Sequence, residues 1–221
     1  MRLDPDDSAK VATAIRAAEA GTDGEISTIV APSSDSYTDI VLQWALIAGL
    51  FPLAISAAWP NLLLWTLAPL TGWEAPSLRL LLSLLVVKCI ILFLIARFVI
   101  GLPAVRMALT PGGTKERRVR ARALMLFRAG TEQRTLSKTG VLLYLSLAER
   151  RAEIVADAAI HAKAPQEVWG EAMTALVEAM RDNRPGDGMA AAVERIGAVL
   201  AQHFPYTGTD PNEMPDRLIE L

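Results

Sequence analysis

The sequence predicts an α/β protein in which a small helix-covered sheet is interrupted by an inserted transmembrane hairpin of two helices. The first observation is the run from Val141 to Leu147, which is apolar at nearly every position. Such a run is typical of a strand covered by helices on both faces of its sheet. The second is a pair of long apolar segments within residues 40–101. The third is that amphipathic helical patterns occur on both sides of these segments.

Residues 1–39 predict one helix followed by one strand, and they are too few to fold alone. The helix is expected to begin at Ser8 as its N-cap and to end at Gly21, with Val11 and Ile15 on its apolar stripe. Residues 25–31 then predict a strand. This piece is therefore the first part of a domain that is completed by residues beyond the hairpin.

Residues 40–101 predict the hairpin. Residues 40–58 carry no charge, and residues 78–100 are denser still in Leu, Ile and Val. Both segments reach the roughly 20 residues that a helix needs to cross a bilayer. The segment between them is interrupted by Pro and Gly and contains Trp59, Trp65 and Trp73, which are expected at headgroup depth.

The distribution of charge predicts the orientation. The loop between the two spans contains no Lys or Arg, whereas residues 102–151 hold eleven basic and three acidic side chains. The positive-inside rule then places both termini and the soluble domain in the cytoplasm. Lys88 lies near the middle of the second span, where a charge is costly. It either meets a partner in another subunit, stays neutral, or snorkels with local distortion of the bilayer.

Residues 102–204 predict the second part of the domain. A basic amphipathic helix covers 115–129, the strands follow at 141–147 and 152–156, and two further helices begin at Pro165 and after the turn 184–188, with Asp187 as a cap. The strand at 25–31 is expected to pair beside the strand at 141–147, with the helices covering the sheet. Residues 205–221 predict an extended polar tail that caps the domain or binds another protein.

This ordered set of segments resembles the TPM domain family, and most closely its membrane-inserted bacterial branch. The resemblance rests on AIRAAEAGTDGEISTIVAPSSDSY, RARALMLF, KTGVLLYLSLAERRAEIVADAAI, DGMAAAVERIGAVLAQHFP and PNEMPDRLIEL. These segments cover nearly the whole chain outside the two spans. The resemblance implies a TPM-like sheet with the hairpin inserted after its first strand, in a bacterial inner membrane.

The resemblance also implies three functions. Some members of the family are associated with the assembly or repair of membrane protein complexes, others are proposed to be acid phosphatases or to bind a divalent cation, and LemA-type proteins are implied as partners. Members often carry Asp-Asn-Gly before the first long strand. Here Lys138, Thr139 and Gly140 stand in those positions, so the acidic cation ligands are replaced.

Four acidic residues, each beside the end of a predicted strand or the start of a predicted helix, are the candidates for a ligand-binding cleft: Glu25, Asp35, Asp157 and Asp187. Ligands in open α/β sheets bind at such an edge, so the four are expected to gather there. No catalytic set and no metal-ligand set is predicted. No cofactor is expected, and a divalent cation is the one alternative. The basic helix offers Arg117, Arg118, Arg120 and Arg122 to anionic lipid headgroups.

The predicted function is that of a non-enzymatic integral membrane protein whose TPM-like domain binds or helps to assemble other membrane or envelope proteins, or a second copy of itself. The alternatives are a metal-dependent phosphatase and a lipid-binding or transport accessory protein. With 22 basic and 24 acidic residues, the chain lacks the excess of positive charge that nucleic-acid binding requires.

Overall fold

The computed structural model describes residues 4–62, 64–65, 77–130, 139–164, 166–207 and 217–221. It confirms a mixed α/β fold with one sheet. The chain divides into two compact units, one formed by Met1–Asp35 with Gly112–Leu221 and the other by Ser36–Pro111. In chain order the main elements are α1 (Pro5–Glu19), β1 (Glu25–Ala31), α2 (Thr38–Ala58), α3 (Leu78–Gly101), α4 (Pro103–Leu109), α5 (Gly112–Gly130), β2 (Gly140–Ser146), β3 (Arg151–Ala156), α6 (Ala158–Lys163), α7 (Gly170–Arg181), α8 (Pro185–His203) and β4 (Leu218–Glu220).

The described part of the sheet has four strands in the order β3-β2-β1-β4. β1 and β2 are parallel, with Glu25 opposite Gly140 and Ala31 opposite Ser146. β3 returns antiparallel to β2, as expected for two strands joined by a short turn. We call the end of the sheet at Glu25 and Gly140 the amino edge, and the end at Ala31 and Ser146 the carboxyl edge.

The sheet is covered by helices on both faces. All seven residues of β2 are buried. Alternate residues of this strand point to opposite sides, so that Leu143 packs in one core with residues of α1, α7 and α8. Leu142 packs on the other side with Val119 and Phe127 of α5. The run that is apolar at nearly every position is therefore explained by burial on both faces, as predicted.

Helix α1 begins earlier than the sequence predicts. Asp4 is its N-cap, Pro5 takes the first helical position, and the Asp4 N–H donates to Asp7 Oδ2 at 3.3 Å. Proline suits this position because its missing N–H would have no partner in the helix. The prediction that Ser8 is the N-cap is wrong; the Ser8 hydroxyl instead donates to Glu220 Oε1, 3.4 Å away.

Helices α1 and α8 pack at very short range where Gly197 meets Ala18. A Cβ atom added to Gly197 would clash with the Ala18 Cβ and would lie 3.0 Å from the Ala18 Cα. The absence of a side chain thus lets the two backbones approach. Because both helices also contribute to the core on one face of the sheet, this contact sets how closely that layer can pack.

The tail contains a strand that the sequence analysis did not predict. Residues Leu218–Glu220 form β4, which pairs parallel to β1 with Leu218 opposite Thr28. The Leu221 N–H continues the pairing by donating to the Val30 carbonyl at 3.0 Å. The end of the tail therefore belongs to the sheet, where it covers the edge of β1. The polar stretch with Asn212, Glu213 and Asp216 lies outside the described residues.

The second unit contains the two apolar helices. α2 and α3 are long and apolar enough to cross a membrane. They begin at or up to two residues before the predicted spans and end at or one residue after them. α2 packs against α3 at Gly49, where an added Cβ would lie 2.9 Å from the Phe93 Cβ. Of the tryptophans predicted at headgroup depth, Trp59 and Trp65 are exposed, and Trp73 lies outside the described residues.

The outward surface of α3 is apolar. Large side chains that are at least half exposed recur along its length: Leu82, Val86, Ile90, Leu94, Ile95 and Phe98. A contiguous exposed apolar surface of this length is typical of a site that binds a membrane or another protein.

Candidate functional site

The carboxyl edge of the sheet holds a buried polar cluster below two connecting segments. The loop that follows β1 and the turn that follows β2 lie side by side. The Leu147 N–H donates to the Ala31 carbonyl, and the Ala148 N–H donates to the Pro32 carbonyl, each at 3.0 Å. In parallel sheets the carboxyl ends of the strands are where ligands usually bind, so this edge is the natural place to look for a site.

Glu149 is the centre of this cluster, and its side chain is buried, with the residue 6% exposed. Its Oε1 accepts from the Ser34 N–H at 3.0 Å and lies 3.1 Å from the Ser33 hydroxyl, which also reaches the Asp35 carbonyl. Its Oε2 accepts from the hydroxyl of Ser146, which is fully buried. These donors offset the cost of removing a carboxylate from water.

Tyr144 extends the cluster towards α5. It is fully buried, and its hydroxyl lies 2.9 Å from Ser34 Oγ. Burial raises the pKa of Tyr144, and hydrogen bonds to Ser34 and Ser146 offset part of this effect. The phenol is therefore neutral and able to donate a hydrogen bond. We call Ser33, Ser34, Tyr144, Ser146 and Glu149 together the Glu149 network.

The Glu149 network is built to hold two segments together. Its members are hydroxyls, one carboxylate and one backbone N–H, and the carboxylate already has several donors. Outside it, Asp35 Oδ2 forms an ion pair with Arg118 of α5 at 2.6 Å, which ties the loop after β1 to that helix. The chemistry available here is positioning of the 32–35 loop rather than proton transfer.

The four predicted cleft residues do not gather at one edge. Glu25 begins β1 and Asp157 directly follows β3, so both lie at the amino edge; Asp157 Oδ2 accepts from the Gly140 N–H at 3.0 Å. Asp35 follows β1 and lies at the opposite edge. The prediction of one acidic cleft is therefore wrong. Glu25 and Asp35 lie at opposite ends of β1, and β3, which is antiparallel to its neighbour, returns Asp157 to the amino edge.

Asp187 lies on a different layer from Asp35. It is in the first turn of α8 and contacts Lys10 of α1, with Lys10 Nζ 2.7 Å from Asp187 Oδ1. The hydrogen bond from Lys10 lowers the pKa of Asp187. Asp187 is not the N-cap, because Arg184 holds that position and also approaches the carboxylate, at 3.5 Å. This exposed ion pair joins two helices at the surface, where such pairs stabilise little.

Within the described ranges, no group of three or more His, Cys, Asp and Glu side chains is placed to hold a metal ion. The positions that match the family's Asp-Asn-Gly are described in part. Gly140 begins β2, and the Thr139 hydroxyl donates to the Asp23 carbonyl at 3.1 Å. Lys138 lies outside the described residues.

Of the four arginines predicted to contact lipid headgroups, two lie beside carboxylates of the same domain. Arg118 is paired with Asp35, and Arg120 lies 3.9 Å from Glu153 on β3. Burial raises the pKa of Glu153, and the neighbouring Arg120 offsets only part of this effect. Arg117 is exposed at the surface, and its guanidinium donates to the Thr114 hydroxyl of its own helix at 3.4 Å. Arg122 is half-buried. Two of the four thus bind the protein's own carboxylates.

Lys88 is half-buried in α3, next to the close contact between α2 and α3. It forms no ion pair with any residue that the structure describes.

The sequence did not lead us to predict the Glu149 network as a site. Two signals were present: a tyrosine within a strand that is otherwise apolar on both faces, and an acidic residue in the tight turn that follows it. A buried tyrosine needs a partner for its hydroxyl, and the paired serines directly after β1 are within reach once the strands are known to be parallel.

The fold defines an α/β protein whose sheet-containing unit is interrupted in sequence by two long apolar helices. Residues 105–199 match the family model of the TPM domain, so the predicted resemblance to this family is confirmed. The matched segment begins in α4 and ends in α8.

Among solved structures, the chain is similar to the NMR structure of BA42 protein from the psychrophilic bacterium Bizionia argentinensis. The TM-score is 0.57 at 15% sequence identity, and the match covers 100% of this chain and 97% of that chain. At this identity the likeness shows a shared fold. No curated protein matches the chain.

Proposed function

We propose that this chain is a non-enzymatic, membrane-anchored binding protein. The hairpin of α2 and α3 holds the TPM-like domain at the membrane surface, and the protein binds another membrane or envelope protein, or a second copy of itself. The observation that carries this proposal is the uncovered apolar surface of α3, with Val86 57% and Phe98 76% exposed. Lipid or another apolar helix must cover such a surface.

The charge pattern supports a cytoplasmic domain. Basic side chains are concentrated directly after α3, in α4 and α5, and the described part of the loop before α3 has none. Under the positive-inside rule this arrangement keeps both ends of the chain in the cytoplasm of a bacterial cell.

Lys88 supports binding within the membrane. Its ammonium group forms no ion pair with a described residue, and the described acidic residue of its hairpin, Asp39, lies in the first turn of α2. An acidic or amide group on a neighbouring membrane helix would reduce the cost of burying Lys88. A LemA-type protein and a second copy of this chain are the two classes of partner to which the family resemblance and the exposed helix lead.

The metal-dependent phosphatase is less well supported. A hydrolase that used the four predicted carboxylates would need them around one substrate. Glu25 and Asp157 lie at one edge of the sheet, and Asp35 lies at the other. The alternative of a lipid-binding accessory protein is also less well supported where it depends on α5. Two of its arginines, Arg118 and Arg120, lie beside Asp35 and Glu153 of the same domain.

Extraction of the full chain in a mild detergent, followed by mass measurement of the intact particle, tests the proposal. We expect a stoichiometric complex that is lost in Lys88→Met and retained in Ser83→Ala. Ser83 is a matched control because it lies on the same helix and its hydroxyl is satisfied by the Arg79 carbonyl, 2.8 Å away. A single chain without a partner, or a complex that survives Lys88→Met, would contradict the proposed binding mode.

A further inference from the structure

A groove of about 590 Å³ lies where α2 begins and where α3 passes into α4. We call it the arginine groove, because Arg97 of α3 and Arg106 of α4 both line it. The helices turn sharply at this point: α3 ends at Gly101, Leu102 is extended, and Pro103 begins α4. The short helix α4 therefore returns Arg106 towards the end of α3.

The arginine groove is positively charged. Neither arginine forms an ion pair with a described residue, and none of the described residues that line the groove is acidic. The Nε of Arg106 is buried and has no hydrogen-bond partner among the described residues. An unsatisfied guanidinium N–H is costly when buried, so an acceptor supplied from outside the protein would stabilise Arg106 here.

The amino end of α2 also lies at the groove. Thr38, the first residue of α2, lines it, so the positive end of the helix dipole lies beside the two guanidinium groups. Asp39, the acidic residue in the same turn, is not among the residues that line the groove. Guanidinium groups bind phosphate oxygens through paired N–H donors, and an ammonium group on the ligand would be repelled by them. The preferred ligand is thus a phosphate without a neighbouring cation.

The remaining wall of the groove is apolar and open to the side. Leu94 is 55%, Phe98 is 76% and Leu102 is 47% exposed. A soluble phosphate has no apolar part that could cover this surface, whereas the acyl chain of a lipid would remove it from water. Arg97 also marks the end of the apolar helix, which is the depth at which phosphate groups of a bilayer lie.

We propose that the arginine groove binds one anionic phospholipid, with its phosphate between Arg97 and Arg106 and an acyl chain along Leu94 and Phe98. This inference rests on the proposed membrane anchoring of the hairpin. It assigns a specific lipid site to residues outside the basic helix α5. It also explains why the end of α3 and the adjoining α4 carry two arginines that form no ion pair with a described carboxylate.

Native mass spectrometry of the full chain, released from vesicles that contain equal amounts of phosphatidylglycerol and phosphatidylcholine, tests the inference. We expect one retained phosphatidylglycerol per chain. Arg97→Gln and Arg106→Gln should each reduce its retention about fivefold, the effect of one basic side chain near anionic lipid. Arg97→Lys and Arg106→Lys keep the charge but lose the paired N–H donors, so their retention should lie between that of the Gln variants and that of the unmodified chain. Arg79→Gln, at the other end of α3, should leave retention unchanged.

The outcomes separate the lipid site from the anchor. Equal retention of both lipids, or retention that the Arg97 and Arg106 variants do not change, would overturn the lipid site while leaving the anchor intact. If inorganic phosphate at millimolar concentration displaces no lipid, the acyl chain is confirmed as part of the ligand; if phosphate binds and lipid does not, the site is for a soluble anion. A chain that fails to float with the vesicles would overturn the anchor and the site together.

Discussion

Replacing Glu149 by alanine is expected to destabilise the TPM-like domain by about 3 kcal/mol, a typical cost when the partner of several buried donors is removed. The carboxylate is the acceptor for the Ser34 N–H and the Ser146 hydroxyl, and both would lose their acceptor in a buried place. The two segments at the carboxyl edge would then separate. Hydrogen exchange of the β2 amides, measured on the full chain in detergent, should show protection reduced about a hundredfold.

Two controls make this prediction specific. Glu149→Gln keeps an oxygen where Oε1 accepts from Ser34, and its amide can donate to Ser146, so it should cost only about 1 kcal/mol. Glu194→Ala removes an exposed carboxylate from α8 and should change stability by less than about 0.5 kcal/mol. Equal protection in Glu149→Ala and the unmodified chain would show that the Glu149 network does not hold the edge together.

Gly197→Leu is expected to cost about 3 kcal/mol or more, because it forces a large side chain between two backbones in a packed core. Even the first atom of that side chain would overlap Ala18. α8 cannot move away freely, since Ile196 and Leu200 on either side of the glycine are fully buried. Thermal unfolding of the soluble domain should therefore begin at a lower temperature, and exchange should accelerate in α1 and α8 together.

Gly170→Ala provides a control of opposite sign. Gly170 begins α7, and an added Cβ there would meet no atom within 4 Å. Alanine at a position of this kind should stabilise the domain by up to about 1 kcal/mol, because it reduces the entropy of the unfolded chain. If Gly197→Leu were as well tolerated as Gly170→Ala, the close approach of α1 and α8 would be wrong.

The sheet was predictable from β2, because all seven of its residues are buried and the strand is therefore apolar on both faces. Such a run is typical of a strand in a sheet that helices cover on both sides. The two long helices were equally clear, because their apolar length exceeds what a small soluble domain can cover. β4 was not predictable. It has three residues, it follows a polar stretch, and its pairing to β1 depends on contacts between the two ends of the chain.

The site was less predictable than the fold. The importance of Glu149 depends on the loop after β1 lying beside the turn after β2, and this follows only from their parallel pairing. The four acidic residues looked alike in sequence, each next to a strand or helix end. Glu25 and Asp35 lie at opposite edges because one begins β1 and the other follows it, and Asp157 lies at the amino edge because β3 runs antiparallel to β2. Sequence position shows that a residue follows a strand, but the direction of the strand decides where it lies.

The measurement that tests the central claim most directly is extraction of the full chain from bacterial membranes. Membranes are washed with high salt and then with alkaline carbonate, which release proteins held by charge or by partner proteins. Because α2 and α3 present apolar side chains that water cannot solvate, we expect the chain to stay in the pellet after both washes and to dissolve only in detergent. Release by either wash would contradict an integral hairpin, and with it the proposed membrane-anchored function.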